Sequence, residues 1–189
     1  DVEHDSDLRN EQAEGYDPHY WLDPVLAQQT VINIRDGLIK ADRTNAAYYS
    51  ENARQYIKQL VQLHEDFMQG LAQCERRTVI ISHESMSYLG KRYGLDIEAI
   101  SGMSPQSDPP AARLAELTRT VREKGVTHIF FESLVSPRLA DTIAKETGAQ
   151  TLVFDPIEGL SDESQKAGKN YLSIQRENLR NLRSALACR

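Results

Sequence analysis

The stretch that most restricts how this chain can fold is a proline-free run from about Asn45 to Gln73. In it Ala53, Tyr56, Ile57, Leu60, Leu63, Phe67 and Leu71 recur at three- and four-residue steps. That spacing puts them on one helical face, with Gly70 the only weak point. At 1.5 Å per residue the helix would span about 43 Å, beyond the roughly 30 Å width of a small domain, so one lobe cannot contain it. A bundle or coiled coil is the ordinary setting for such a helix, but the stripe lasts too few heptads for a coiled coil. A shorter helix, about Pro24 to Lys40, precedes it; Asp23 is placed to cap it and Pro24 to open it, and Asp42 or Thr44 can cap the long one. His64 lies on the long helix and reads as a surface or packed side chain.

Beyond Cys74 the pattern alternates. Strands are expected near Val79 to Ser82, Asp96 to Ile100, His128 to Glu132 and Gln150 to Phe154. Helices are expected near Ser85 to Tyr93, Pro110 to Lys124, Arg138 to Thr147 and Gln165 to Ala187. This predicts an α/β fold with a four-stranded, mainly parallel sheet covered by helices on both faces. Asp108-Pro109-Pro110 offers a cap and first-turn prolines, and Ser101 to Ser107 reads as a mobile loop at the mouth of a cleft.

Composition excludes more than it selects. A net charge of −6 argues against a nucleic-acid partner, and no apolar run approaches membrane-spanning length. Cys74 and Cys188 allow one disulfide or two unpaired thiols at helix ends, and they form no CxxC pair.

Chemistry concentrates at three places. In Tyr16-Asp17-Pro18-His19-Tyr20-Trp21-Leu22-Asp23-Pro24 the prolines stiffen the backbone around His19. Thr78-Val79-Ile80-Ile81-Ser82-His83 is a short apolar strand ending in a second histidine, and Thr151-Leu152-Val153-Phe154-Asp155-Pro156 is another ending in an acid. His83 and Asp155 thus stand at carboxyl ends of strands, where open α/β sheets place ligand sites. His128 begins its strand, at the opposite end, and reads as structural.

These motifs resemble the zinc and manganese solute-binding proteins of ABC importers. The likeness is carried by Asp17 to Pro24, by Ser82-His83-Glu84-Ser85-Met86-Ser87-Tyr88-Leu89 with Arg92-Tyr93-Gly94-Leu95, by Phe131-Glu132 and Ser136-Pro137, and by Phe154-Asp155-Pro156-Ile157-Glu158. It runs from about residue 16 to the last helix. The resemblance implies an extracytoplasmic receptor, periplasmic or lipid-anchored, that binds a divalent metal and hands it to a membrane permease, working as a monomer, with cell adhesion as a further family-level role. It implies metal ligands at His19, His83 and Asp155, and a fourth from a histidine early in an amino-terminal lobe. The sequence around His4 carries no strand or helix signal to hold it in that role. The chain is therefore expected to be partial: residues 1–23 a remnant of the amino-terminal lobe, 24–74 helices including the long one that links two lobes, and 75–189 the carboxy-terminal lobe.

Two imidazoles and a carboxylate suit Zn2+ and accept Mn2+, whereas calcium wants oxygen throughout. Manganese-type relatives often carry glutamate where His83 stands, which favours zinc. Glu132 and Glu84 are expected to accept from the free ring nitrogen of a ligand histidine, and Glu158 is an alternative oxygen donor if its loop turns inward. The competing reading is a hydrolytic zinc centre with a bound water. Against it stand the lack of an HExxH pair, of a nucleophile arrangement and of a glycine-rich phosphate loop.

Overall fold

A computed structural model of the chain describes residues 17–103, 109–134 and 136–189. The expectations for His4, for a cap at Asp108 and for most of the Ser101 to Ser107 loop lie outside these residues. After a 3-10 turn at His19–Leu22 come helices α1 (Pro24–Ala41) and α2 (Ala46–Gly70), joined through a second 3-10 turn at Arg43–Asn45. Then follow β1 (Thr78–Ile81), α3 (Ser87–Tyr93), β2 (Asp96–Ala99), α4 (Ala111–Lys124), β3 (His128–Phe131), α5 (Arg138–Thr147), β4 (Gln150–Val153), α6 (Asp162–Lys166) and α7 (Tyr171–Leu186).

Local chemistry accounts for the helix starts. Asp23 accepts a hydrogen bond from the Val25 N–H and Pro24 occupies the first helical position of α1. Asp42 caps the 3-10 turn instead of α2, which opens at Asn45 without a side-chain cap. The single carboxy-terminal helix expected near Gln165 to Ala187 is two helices. Gly168 adopts a positive φ of 66°, and Asn170 with Ser173 forms a capping box that restarts the helix as α7.

All strand pairs are parallel, in the order β2-β1-β3-β4. One face of the sheet is covered by α2, α3 and α7, through Leu63, Phe67, Leu89, Leu179 and Leu182 against Val79 and Ile81. The other is covered by α4 and α5, through Leu117, Val121, Ile143 and Ala144 against Ile80 and Ile129. The chain runs from β1 outward to β2 and returns past β1 to β3, so the strand order reverses between β1 and β3. In open parallel sheets a crevice forms at that reversal, beyond the carboxyl ends of the strands. Cys74 and Cys188 form a disulfide at the other end of the sheet, just upstream of β1. Among the described residues no helix is long and apolar enough to cross a membrane.

Candidate metal centre

His83 and Glu132 follow β1 and β3, the two strands that flank the reversal. Both are buried, and one carboxylate oxygen holds the histidine twice: Glu132 Oε1 accepts from the His83 main-chain N–H at 3.2 Å and lies 2.5 Å from His83 Nδ1. The 3-10 turn before α1 repeats the device. Asp17 Oδ1 accepts from the His19 main-chain N–H at 2.9 Å and lies 2.7 Å from His19 Nδ1. A carboxylate can only accept, so in each neutral ring Nδ1 carries the hydrogen and Nε2 presents its lone pair.

Those two lone pairs converge. His19 Nε2 and His83 Nε2 are 3.2 Å apart, and Glu158 Oε1 lies 3.0 Å from the first and 3.5 Å from the second. Among the described residues, His19, His83 and Glu158 form the one group of at least three such side chains whose donor atoms all approach each other closely enough to share an ion. Donors bound to a tetrahedral zinc at about 2.0–2.1 Å stand roughly 3.3 Å from one another, which is the spacing found. Three acceptor atoms at this distance repel unless a cation or a proton sits among them.

Proton occupancy follows the same logic. Burial works against a charged His83, but the hydrogen bond to Glu132 and the charges of Glu132, Glu158 and Asp17 outweigh it, holding the His83 pKa above the ordinary imidazole value.

The expected site residues divide in space. His19, His83 and Glu132 meet. Asp155 is not in the three-donor group: its Oδ2 accepts from the Ser133 hydroxyl at 2.8 Å and its Oδ1 from the Ile157 N–H at 2.8 Å. The second of these closes a tight turn in which Ile157 takes a φ of 58°, unusual for a β-branched residue, and the turn swings Glu158 inward. Glu84 is exposed, with its main-chain N–H bonded to the Gly102 carbonyl, and its side chain is not part of the group that His19, His83 and Glu158 form. His64 is half-buried, its Nδ1 3.0 Å from the Tyr93 hydroxyl, and His128 pairs with Thr127 at the far end of the sheet. Asp17 was not anticipated in its role; the signal available was an acid two residues before a histidine with proline between, a spacing that favours a side-chain-to-backbone turn.

The model of the family "Zinc-uptake complex component A periplasmic" (ZnuA) matches residues 1–185. The high-affinity zinc uptake system protein ZnuA of Bacillus subtilis is 41% identical over 170 residues, 90% of this chain and 53% of that protein. The zinc-binding lipoprotein AdcA of Streptococcus pneumoniae is 41% identical over 168 residues, 89% of this chain and 34% of that protein. The crystal structure of its Zn(II)-bound ZnuA-like domain matches with a TM-score of 0.78 at 40% identity, over 90% of this chain and 64% of that one. The laminin-binding protein Lbp of Streptococcus pyogenes matches with a TM-score of 0.84 at 37% identity, over 90% of this chain and 66% of that one. This chain thus spans about a third to a half of the length of the curated relatives named here. A family match over nearly all of its residues, on a parallel sheet with two carboxylate-anchored histidines at the strand-order reversal, makes the chain a member of the ZnuA zinc-uptake family of solute-binding proteins.

Proposed function

We propose that this chain is part of an extracytoplasmic receptor that captures Zn2+ and delivers it to the permease of an ABC importer, acting as a single copy. The observation that carries the reading is the convergence of three acceptor atoms, His19 Nε2, His83 Nε2 and Glu158 Oε1, within 3.0–3.5 Å of one another. In this reading His19 and His83 supply nitrogen, Glu158 supplies oxygen, and Asp155 braces the turn that presents Glu158. A fourth donor comes from an amino-terminal lobe, and α1 with α2 links that lobe to the unit described here. Two nitrogens and one oxygen favour zinc over manganese. The disulfide suits an oxidising compartment outside the cytoplasm. Proteins of this family work with importer permeases, and the hydrolytic alternative is not favoured by membership in a transport family.

Zinc titration of His83→Ala, Glu158→Gln and Asp155→Asn in the full chain tests the assignment. His83→Ala and Glu158→Gln should each weaken binding by at least about a hundredfold, and Asp155→Asn, acting on the turn alone, by roughly tenfold. An Asp155→Asn loss exceeding that of Glu158→Gln would return the oxygen ligand to Asp155, and an unchanged His83→Ala would remove the site.

A further inference from the structure

Helix α7 carries no donor atom, yet its buried side is polar where leucines alone would pack. Leu172, Leu179, Leu182 and Leu186 enter the core. Beside them Tyr171, Gln175, Asn178 and Asn181, spaced by four, three and three residues, all reach main-chain atoms of the two segments that lead to His19 and Glu158. The Tyr171 hydroxyl donates to the Trp21 carbonyl at 2.6 Å and Gln175 Nε2 to the Leu22 carbonyl at 3.0 Å. Asn178 grips Asp155 from both sides: its Oδ1 accepts from the Asp155 N–H at 2.9 Å and its Nδ2 donates to the Asp155 carbonyl at 2.8 Å. Asn181 Nδ2 donates to the Val153 carbonyl at 2.8 Å. Gln175 and Asn178 are 0% and 2% exposed; both amide atoms of Asn178 are bonded, as is Gln175 Nε2, while Gln175 Oε1 is buried without a partner, a cost borne to place the Nε2 bond. The two segments also meet directly, where Trp21 Nε1 donates to the Pro156 carbonyl at 2.8 Å.

We propose that Gln175 and Asn178 are positioning residues of the metal site. Helix α7 acts as a common rail that fixes the His19 turn and the 155–158 turn relative to each other, and so sets the separation of His19 Nε2 and Glu158 Oε1. His83 stands apart from this rail, because β1 and Glu132 hold it. The inference rests on the assignment of His19, His83 and Glu158 as ligands. Its physical basis is that a metal tolerates donor displacements of only about 0.2 Å, while loops without such ties drift by more.

The test uses the full chain with Asn178→Ala, Gln175→Ala and the ligand variant His83→Ala. A control is Arg180→Ala, on the exposed side of the same helix at 66% exposure. Zn2+ affinity is measured, together with the visible absorption of the Co2+ complex, which reports coordination geometry and is not moved by a loss of stability alone. Thermal unfolding in chelator establishes that each variant is folded. The expected result is that Asn178→Ala and Gln175→Ala lose zinc affinity roughly tenfold and shift the Co2+ bands. Arg180→Ala should match the unsubstituted protein, and His83→Ala should abolish binding. If Asn178→Ala fails to fold, Gln175→Ala decides. Unchanged affinity and unchanged Co2+ bands in the folded variants, with binding abolished in His83→Ala, would overturn the rail and leave the site assignment standing. Unchanged binding in His83→Ala as well would overturn the assignment itself.

Discussion

At the two histidines a carboxylate on Nδ1 turns Nε2 toward the shared point, and at His83 it has a second effect, making the ring more basic. The second effect ties metal capture to pH. Zinc binds the neutral ring, so protons compete, and because His83 is held above the ordinary imidazole pKa the competition begins at a higher pH than for a free histidine. Zinc affinity should fall steadily between about pH 8 and about pH 5.5, as a competition titration against a chromophoric chelator would record; a flat profile would remove His83 from the ligand set. For the metal-free fold the sign reverses. A histidine whose pKa is raised on folding adds stability that is fully present below its unfolded pKa and is lost as pH rises through the folded value. At this scale the histidines were legible in sequence because a stiff proline-flanked turn and an apolar strand end are local patterns. The oxygen position was less legible: the sequence offers both Asp155 and Glu158, and the approach of Glu158 to the rings depends on a left-handed Ile157, which nothing in that residue's identity announces.

The elements that carry these residues are short, and their placement depends on close approach more than on length. Helix α3, between the His83 turn and β2, lies so near the sheet that a Cβ on Gly90 would meet Ile97 Cγ1 at 2.5 Å and the Leu95 carbonyl at 3.3 Å. Gly90→Ala should therefore destabilise the fold by about 1–3 kcal/mol, although alanine is the better helix former, and denaturant unfolding of the two proteins would measure the difference. The same helix supplies Arg92, whose Nε donates at 2.7 Å to buried Asp23, the residue that caps α1. One ion pair thus ties the segment after His83 to the segment after His19. Most elements followed from periodicity: the long α2 from its apolar stripe, and the four strands from short apolar runs between helical stretches. The exception is instructive. An apolar stripe runs on through Leu172, Leu179 and Leu182, but the break before it is a matter of Gly168 and of Asn170 pairing with Ser173, which periodicity does not register.

Across the whole unit, the disulfide and the candidate metal site lie at opposite ends of one sheet. The Cys74–Cys188 bridge closes a sequence separation of 114 residues and fastens the end of α7 beside the entry to β1. Main-chain bonds from Glu75 to Ala187, Arg76 to Leu186 and Arg189 to Gln73 reinforce the same junction. The donor atoms lie beyond the other end of β1, four residues on, a strand length of about 13 Å. Removing the bridge by Cys74→Ala with Cys188→Ala frees a long loop in the unfolded chain, and a cost of about 2–4 kcal/mol is expected. For a chain of this size that corresponds to a melting temperature lower by roughly 5–15 °C. Zinc affinity, measured below the transition, should stay within about twofold of the unsubstituted protein, since neither the carboxylate ties on His19 and His83 nor the amide rail on α7 passes through the junction. A parallel loss of affinity in the folded double variant would mean that α7 transmits strain along its length from the bridge to the 155–158 turn, and that the two ends of the sheet are one mechanical unit.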